Sequence, residues 1–128
     1  MLVYAPLHQS DLRPIMKKTD KKRENAIRQV LTDLCDEALD LYEGFEWLTH
    51  RVDYSRFPKS LKVICVFDTN ANLKEFMKNH QRAFNDKIQK GLGAVEAPIA
   101  DTGRQIKYDT EENCEVMNGG DWGDRLAP

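Results

Sequence analysis

From Leu61 to Phe67 the chain reads Leu-Lys-Val-Ile-Cys-Val-Phe, an apolar run interrupted only by Lys62. In an extended chain successive side chains point to opposite faces, so Leu61, Val63, Cys65 and Phe67 share one face, and Ile64 and Val66 lie on the other. A strand that is apolar on both faces has to be covered on both, which predicts an internal strand of a sheet rather than a wetted edge. With 128 residues, 41% of them hydrophobic, the chain supplies one core and little room for a second.

The remaining elements follow from periodicity and punctuation. Ile27, Val30, Leu31, Leu34, Ala38, Leu41 and Tyr42 recur at helical steps behind Thr19-Asp20, which predicts a helix over about 20–43 ended by Gly44. Phe45 to about Tyr54 reads as a strand, and Ser55 to Ser60, with Pro58, as the turn into the internal strand. Asp68-Thr69-Asn70 supplies a cap for a second helix at roughly 70–92, striped by Leu73, Phe76, Met77, His80, Phe84, Ile88 and Leu92. A third strand is expected from Arg104 to Tyr108. A short helix then follows, capped by Asp109-Thr110-Glu111-Glu112 and running through about Met117.

The predicted fold class is α+β: a two-layer sandwich of order α-β-β-α-β-α, with a three-stranded mixed sheet and helices on one face. A short turn makes the first two strands antiparallel, and a helical crossover returns the third parallel to the second. The other sheet face, with Leu48, Val52, Tyr54, Ile64 and Val66 among its candidates, is too apolar to stay wet. Three coverings are open: an N-terminal extension, the C-terminal segment around Trp122, or a second copy in a homodimer. Residues 1–15, ahead of Met16-Lys17-Lys18, read as a flexible extension without clean periodicity, and 16–128 as the single domain.

Charge is distributed unevenly. Residues 1–35 hold seven bases and four acids, 36–93 hold nine of each, and 94–128 hold three bases and eight acids. The net charge of −2 and pI near 5.9 disfavour sequence-blind polyanion binding by the molecule as a whole, and shift attention to local patches. No apolar stretch approaches a membrane span, and Pro6, His8 and Asp11 break the apolar region that a signal peptide needs, so a cytoplasmic protein without a membrane partner is expected. Cys35, Cys65 and Cys114 are odd in number and form no CxxC pair, which indicates neither a disulfide framework nor a cysteine zinc site.

Several positions are candidates for chemistry. Phe67-Asp68-Thr69-Asn70 is echoed by Tyr108-Asp109-Thr110-Glu111, and parallel strands bring both aspartates to one sheet edge. Asp68, Asp109 and Glu112, with Glu111 nearby, are then weak candidates to hold Mg²⁺ for phosphate-ester chemistry; capping of the following helices is their more ordinary role. His50, a weak candidate base, lies beside Thr49 and Arg51, and a hydrogen-bonded, partly buried histidine is the commoner outcome. Cys114, near a helix start, is a candidate reactive thiol opposed by Glu111, Glu112 and Glu115. Lys17, Lys18, Lys21, Lys22, Arg23 and Arg28 form a basic cluster that Arg51, Arg56 and Lys59 extend, with Tyr54 and Phe57 as rings on which bases would stack.

The segments Lys17-Lys18-Thr19-Asp20-Lys21-Lys22, Phe45-Glu46-Trp47-Leu48-Thr49-His50, Arg56-Phe57-Pro58, Cys65-Val66-Phe67-Asp68-Thr69-Asn70 and Asp109-Thr110-Glu111-Glu112-Asn113-Cys114 carry a resemblance. Over about residues 16–126 the chain resembles a family of small proteobacterial proteins often labelled Fis family transcriptional regulator. The resemblance implies DNA binding by a C-terminal helix-turn-helix. This chain departs from that pattern, because its C-terminal portion is acidic, rich in glycine and too short for a recognition-helix pair, and the resemblance assigns no functional residues. The residues themselves favour a binding or regulatory domain over an enzyme. Nucleic acid is the leading ligand, met by Lys17, Lys18, Lys21, Lys22, Arg23, Arg28 and Arg56; a metal-dependent enzyme and a structural dimer are the alternatives.

Overall fold

The computed structural model describes residues 17–127, so the expectation of a flexible extension over 1–15 lies outside the described residues. The elements are α1 (Lys18–Leu41), β1 (Phe45–Arg51), β2 (Lys62–Phe67), α2 (Asn70–Asn79), α3 (Gln81–Ala94), α4 (Thr102–Gln105), β3 (Ile106–Thr110), α5 (Glu111–Asn118) and α6 (Trp122–Arg125). A turn of 3-10 helix, Tyr54–Arg56, lies between β1 and β2. This is the expected α+β class in the expected α-β-β-α-β-α order, with the second helix split in two at His80 and a single turn, α4, inserted before β3.

The sheet order is β1-β2-β3, with β1 antiparallel and β3 parallel to the central β2. Pairing of Leu48 with Cys65 and Cys65 with Tyr108 places those three on one face; pairing of Trp47 with Val66 and Val66 with Asp109 places those three on the other. Val63, Cys65, Val66 and Phe67 are completely buried, and Ile64 nearly so. Burying five such side chains supplies about 10 kcal/mol of hydrophobic driving force, at roughly 2 kcal/mol each.

The expectation of helices on one face holds for the long helices only. Ile27, Leu31, Cys35 and Ala38 of α1, Phe76 of α2, and Phe84, Ile88 and Leu92 of α3 pack with Leu48, Val63, Cys65 and Phe67. On the opposite face Cys114 of α5 and Trp122 of α6 pack on Ile64 and Val66, with Trp47 and Leu126 at the margin. The C-terminal segment therefore supplies a covering for this face. The reason is chain length: β3 ends at Thr110, and α5 begins at the next residue with no loop to carry it around the sheet edge.

Gly44 fixes the entry into the sheet. At φ +83° it occupies backbone space that favours glycine, and a Cβ there would stand 2.5 Å from Asp68 Oδ1 and 2.7 Å from Asn72 Cβ. Its carbonyl accepts the Asp68 N–H at 2.8 Å, tying the end of α1 to the end of β2. Trp122→Ala is expected to lower unfolding stability by about 3 kcal/mol, measured by urea denaturation, because it strips the cover from Ile64 and Val66.

Candidate nucleic-acid interface

Because α1 runs back along the sheet, the molecule has two chemically different ends. One end gathers the start of α1, the residue 53–60 turn and the starts of β2 and β3; the other gathers the start of β1, the ends of β2 and β3, and α5. Cross-links define the first end: the Tyr54 hydroxyl donates to Glu24 Oε1 at 2.7 Å, and Gln105 Nε2 donates to the carbonyls of Pro58 and Leu61.

Lys17, Lys18, Lys21 and Lys22 are all exposed, and no ion pair among the described residues involves them. The arginines differ. The Arg23 guanidinium lies 4.8 Å from the Phe57 ring centroid and 3.6 Å from Asp20 Oδ1. Arg56 is exposed but reaches Asp53 at 3.3 Å, and Arg28 is half-buried with its charge acting on Glu24. The structure thus brings the predicted basic residues to one end and leaves the lysines as its outward charge. The rings expected to receive bases are engaged within the protein: Tyr54 stacks on Phe57 at 5.6 Å, Phe57 carries Arg23, and the Tyr54 hydroxyl is bonded to Glu24.

The charge order along α1 opposes its own dipole. Lysines crowd the positive N-terminal end, where Asp20 is the acid of the first turn, and Asp33, Asp36, Glu37 and Asp40 occupy the C-terminal half. Lys17 at the N-cap makes no side-chain cap, and no base stands in the last turn. Each such charge in a terminal turn costs about 0.3–1 kcal/mol. The helix is held by its buried stripe from Ile27 onward, not by its termini.

His50 is buried beneath this end, with Nε2 3.1 Å from Glu24 Oε1 and a side chain only 4% exposed. Burial by itself would raise the Glu24 carboxyl, but the bonds to His50 and Tyr54 and the charges of His50 and Arg28 outweigh it and hold the group below its ordinary value. His50 therefore takes the hydrogen-bonded role. Its partner Glu24, an acid set between Arg23 and Arg28, was not singled out in the sequence; that placement is the one trace of the pairing.

At the opposite end Asp68 and Asp109 do reach one sheet edge on adjacent parallel strands, yet each carboxylate already has partners. Asp109 receives Arg125 Nε at 2.6 Å and Nη2 at 3.1 Å. Asp68 Oδ1 accepts from Asn72 Nδ2 and the Thr69 N–H. Glu112 Oε1 accepts the Asn70 N–H at 2.8 Å, and the caps of α2 and α5 come from Thr69 and Thr110. No group of three or more His, Cys, Asp or Glu among the described residues is arranged to hold a metal ion. Glu111 accepts both indole N–H groups, Trp122 Nε1 at 2.6 Å and Trp47 Nε1 at 2.8 Å, while the two rings meet edge to face. Partial burial together with the nearby Asp68 and Glu111 raises the Glu46 carboxyl, a mark of the negative field at this end.

The thiols are buried. Burial pushes Cys35 up to about 11 and also raises Cys65 and Cys114, so the candidate reactive thiol at α5 is protonated and enclosed. Comparison with protein-family models, with curated proteins and with solved structures finds no match to this chain.

The three thiols are expected to react with an aromatic disulfide reagent only as fast as the protein unfolds, a rate that rises with urea. Glu24→Gln is expected to cost about 1–2 kcal/mol at neutral pH by thermal melting. The sign with pH follows from the lowered carboxyl: its stabilisation is present above the ordinary glutamate pKa of about 4.3 and lost as pH falls through the folded value, so the variant's deficit shrinks in acid.

Proposed function

We propose that this protein is a binding or regulatory domain that contacts nucleic acid through the basic end of α1. The observation that carries the reading is the charge order of that helix, in which exposed Lys17, Lys18, Lys21 and Lys22 stand at the end where the helix dipole is already positive. A local rule broken without a local gain indicates a gain made elsewhere. A phosphate backbone supplies it, since the same anion satisfies the lysines and the N-terminal end of the helix.

The opposite end favours the same orientation. Asp109, Glu111 and Glu112 cluster with α5 there, and α6 is a four-residue helix whose Trp122 is spent on the sheet, so the polyanion is met at α1 and not at the C-terminus.

Fluorescence anisotropy on a labelled mixed-sequence DNA duplex tests the proposal. Binding is expected to weaken with salt with a log–log slope of about −4, one counterion equivalent for each exposed lysine. Lys18→Glu with Lys21→Glu is expected to lower affinity more than tenfold and yet raise the melting temperature, because acids at the start of a helix complement its dipole. Lys78→Glu with Lys90→Glu makes the same charge change on α2 and α3 and is expected to bind within twofold of the parent. Equal affinity for the α1 variant and the parent, or no salt-sensitive retention, would overturn the reading.

A further inference from the structure

The geometry points to a specific mode for that contact, and rests on the reading above: the exposed side of the first turns of α1 lies along the major groove of B-form DNA. Three observations carry it. The first is shape. From Arg23 onward the inner side of α1 is held to the body, Arg23 on Phe57 and Glu24 on His50 and Tyr54, while Lys18, Lys21, Lys22, Asn25 and Gln29 on its outer side stay exposed. A helix with its side chains is ~10–12 Å across and matches the ~12 Å major groove of B-DNA, whereas the deep, narrow major groove of duplex RNA does not admit it.

The second is the sequence of side chains along the exposed stripe. Lys18, Lys21 and Lys22 come first, then Asn25 and Gln29, then Asp33, Asp36 and Asp40, all exposed. At 100° per residue these lie on one side of the helix. Phosphates flanking a groove attract the first group and repel the last, so the sign change after Gln29 limits the inserted length to about three turns, roughly 17 Å from Lys18 to Gln29. Asn25 is exposed on this stripe between Lys22 and Gln29, and an amide is the side-chain group that pairs with an adenine edge in the major groove. Gln29 donates to Asp33 at 3.1 Å, which marks the inner limit of the stripe.

The third observation separates duplex from single strand. Sequence-tolerant single-strand binding needs ring faces for the bases, and at this end the two rings are stacked on each other, with a guanidinium on Phe57. What remains for recognition is charge and groove shape. Duplex DNA offers the higher density, about one phosphate charge per 1.7 Å of axis.

The full chain is titrated by anisotropy at about 50 mM salt against a 20-base-pair mixed DNA duplex, each of its single strands, and the duplex RNA of the same sequence. The expected order is duplex DNA tighter than the other probes by tenfold or more. Displacement is expected with methyl green, a major-groove ligand, and not with netropsin, a minor-groove ligand. Asp33→Lys with Asp36→Lys, both exposed, is expected to tighten duplex binding at least tenfold and to steepen the salt slope by about two. Phe57→Leu is expected to leave single-strand affinity within twofold. Single-strand or RNA binding equal to duplex DNA, displacement by netropsin, an unchanged Asp33/Asp36 variant, or loss of single-strand binding in Phe57→Leu overturns the groove mode while leaving nucleic-acid binding in place. Absence of binding to every probe overturns both.

Discussion

The structure depends on β2 being buried from both sides. A strand with Val63, Cys65 and Phe67 on one face and Ile64 and Val66 on the other cannot be satisfied by one layer of helices. The chain meets the demand asymmetrically. Three long helices press on the first face, and a C-terminal segment of two short helices, anchored by Trp122 and Cys114, presses on the second. The second contact is small, and polar groups reinforce it: Glu111 receives two indole N–H groups, and Arg125 holds Asp109 with two nitrogens. An apolar strand thus dictates a polar latch.

The parallel pairing of β2 and β3 has a second effect. The helices that follow them depart to opposite faces, which opens the kind of crevice where α/β sheets commonly seat ligands. In this protein the crevice is closed by its own side chains. Asn70 bonds both Thr110 and Asn113 across it, and Glu112 sits on the start of α2. The echoed aspartate-threonine pairs are therefore best understood as matched helix starts, each with threonine as the cap, and the polar end of the sheet is a fastening.

Much of the fold was legible in the sequence because its evidence is local. The Leu61–Phe67 run, the stripe of α1 and the caps after Phe67 and Tyr108 each state their structure within a few residues. The break at His80 was not legible, since the apolar spacing of Phe76, Phe84 and Ile88 continues across it. Nor was the face chosen by α5, which depends on the absence of a loop after Thr110 and on an indole eleven residues further along. At the candidate interface, charge type was readable and engagement was not. Lys18 and Arg23 look alike in a sequence, and only the fold shows that Arg23 lies on Phe57 while Lys18 faces outward. His50 and Glu24 are twenty-six positions apart, and nothing in either neighbourhood names the other.

An excess of cations at one end and of acids at the other also governs what happens before any contact. A nearly neutral molecule with unevenly placed charge has a permanent electric moment, so a charged surface exerts torque on it as well as net attraction or repulsion. Any charged surface would turn it during approach, so that an encounter begins pre-aligned even where the net charge gives no attraction.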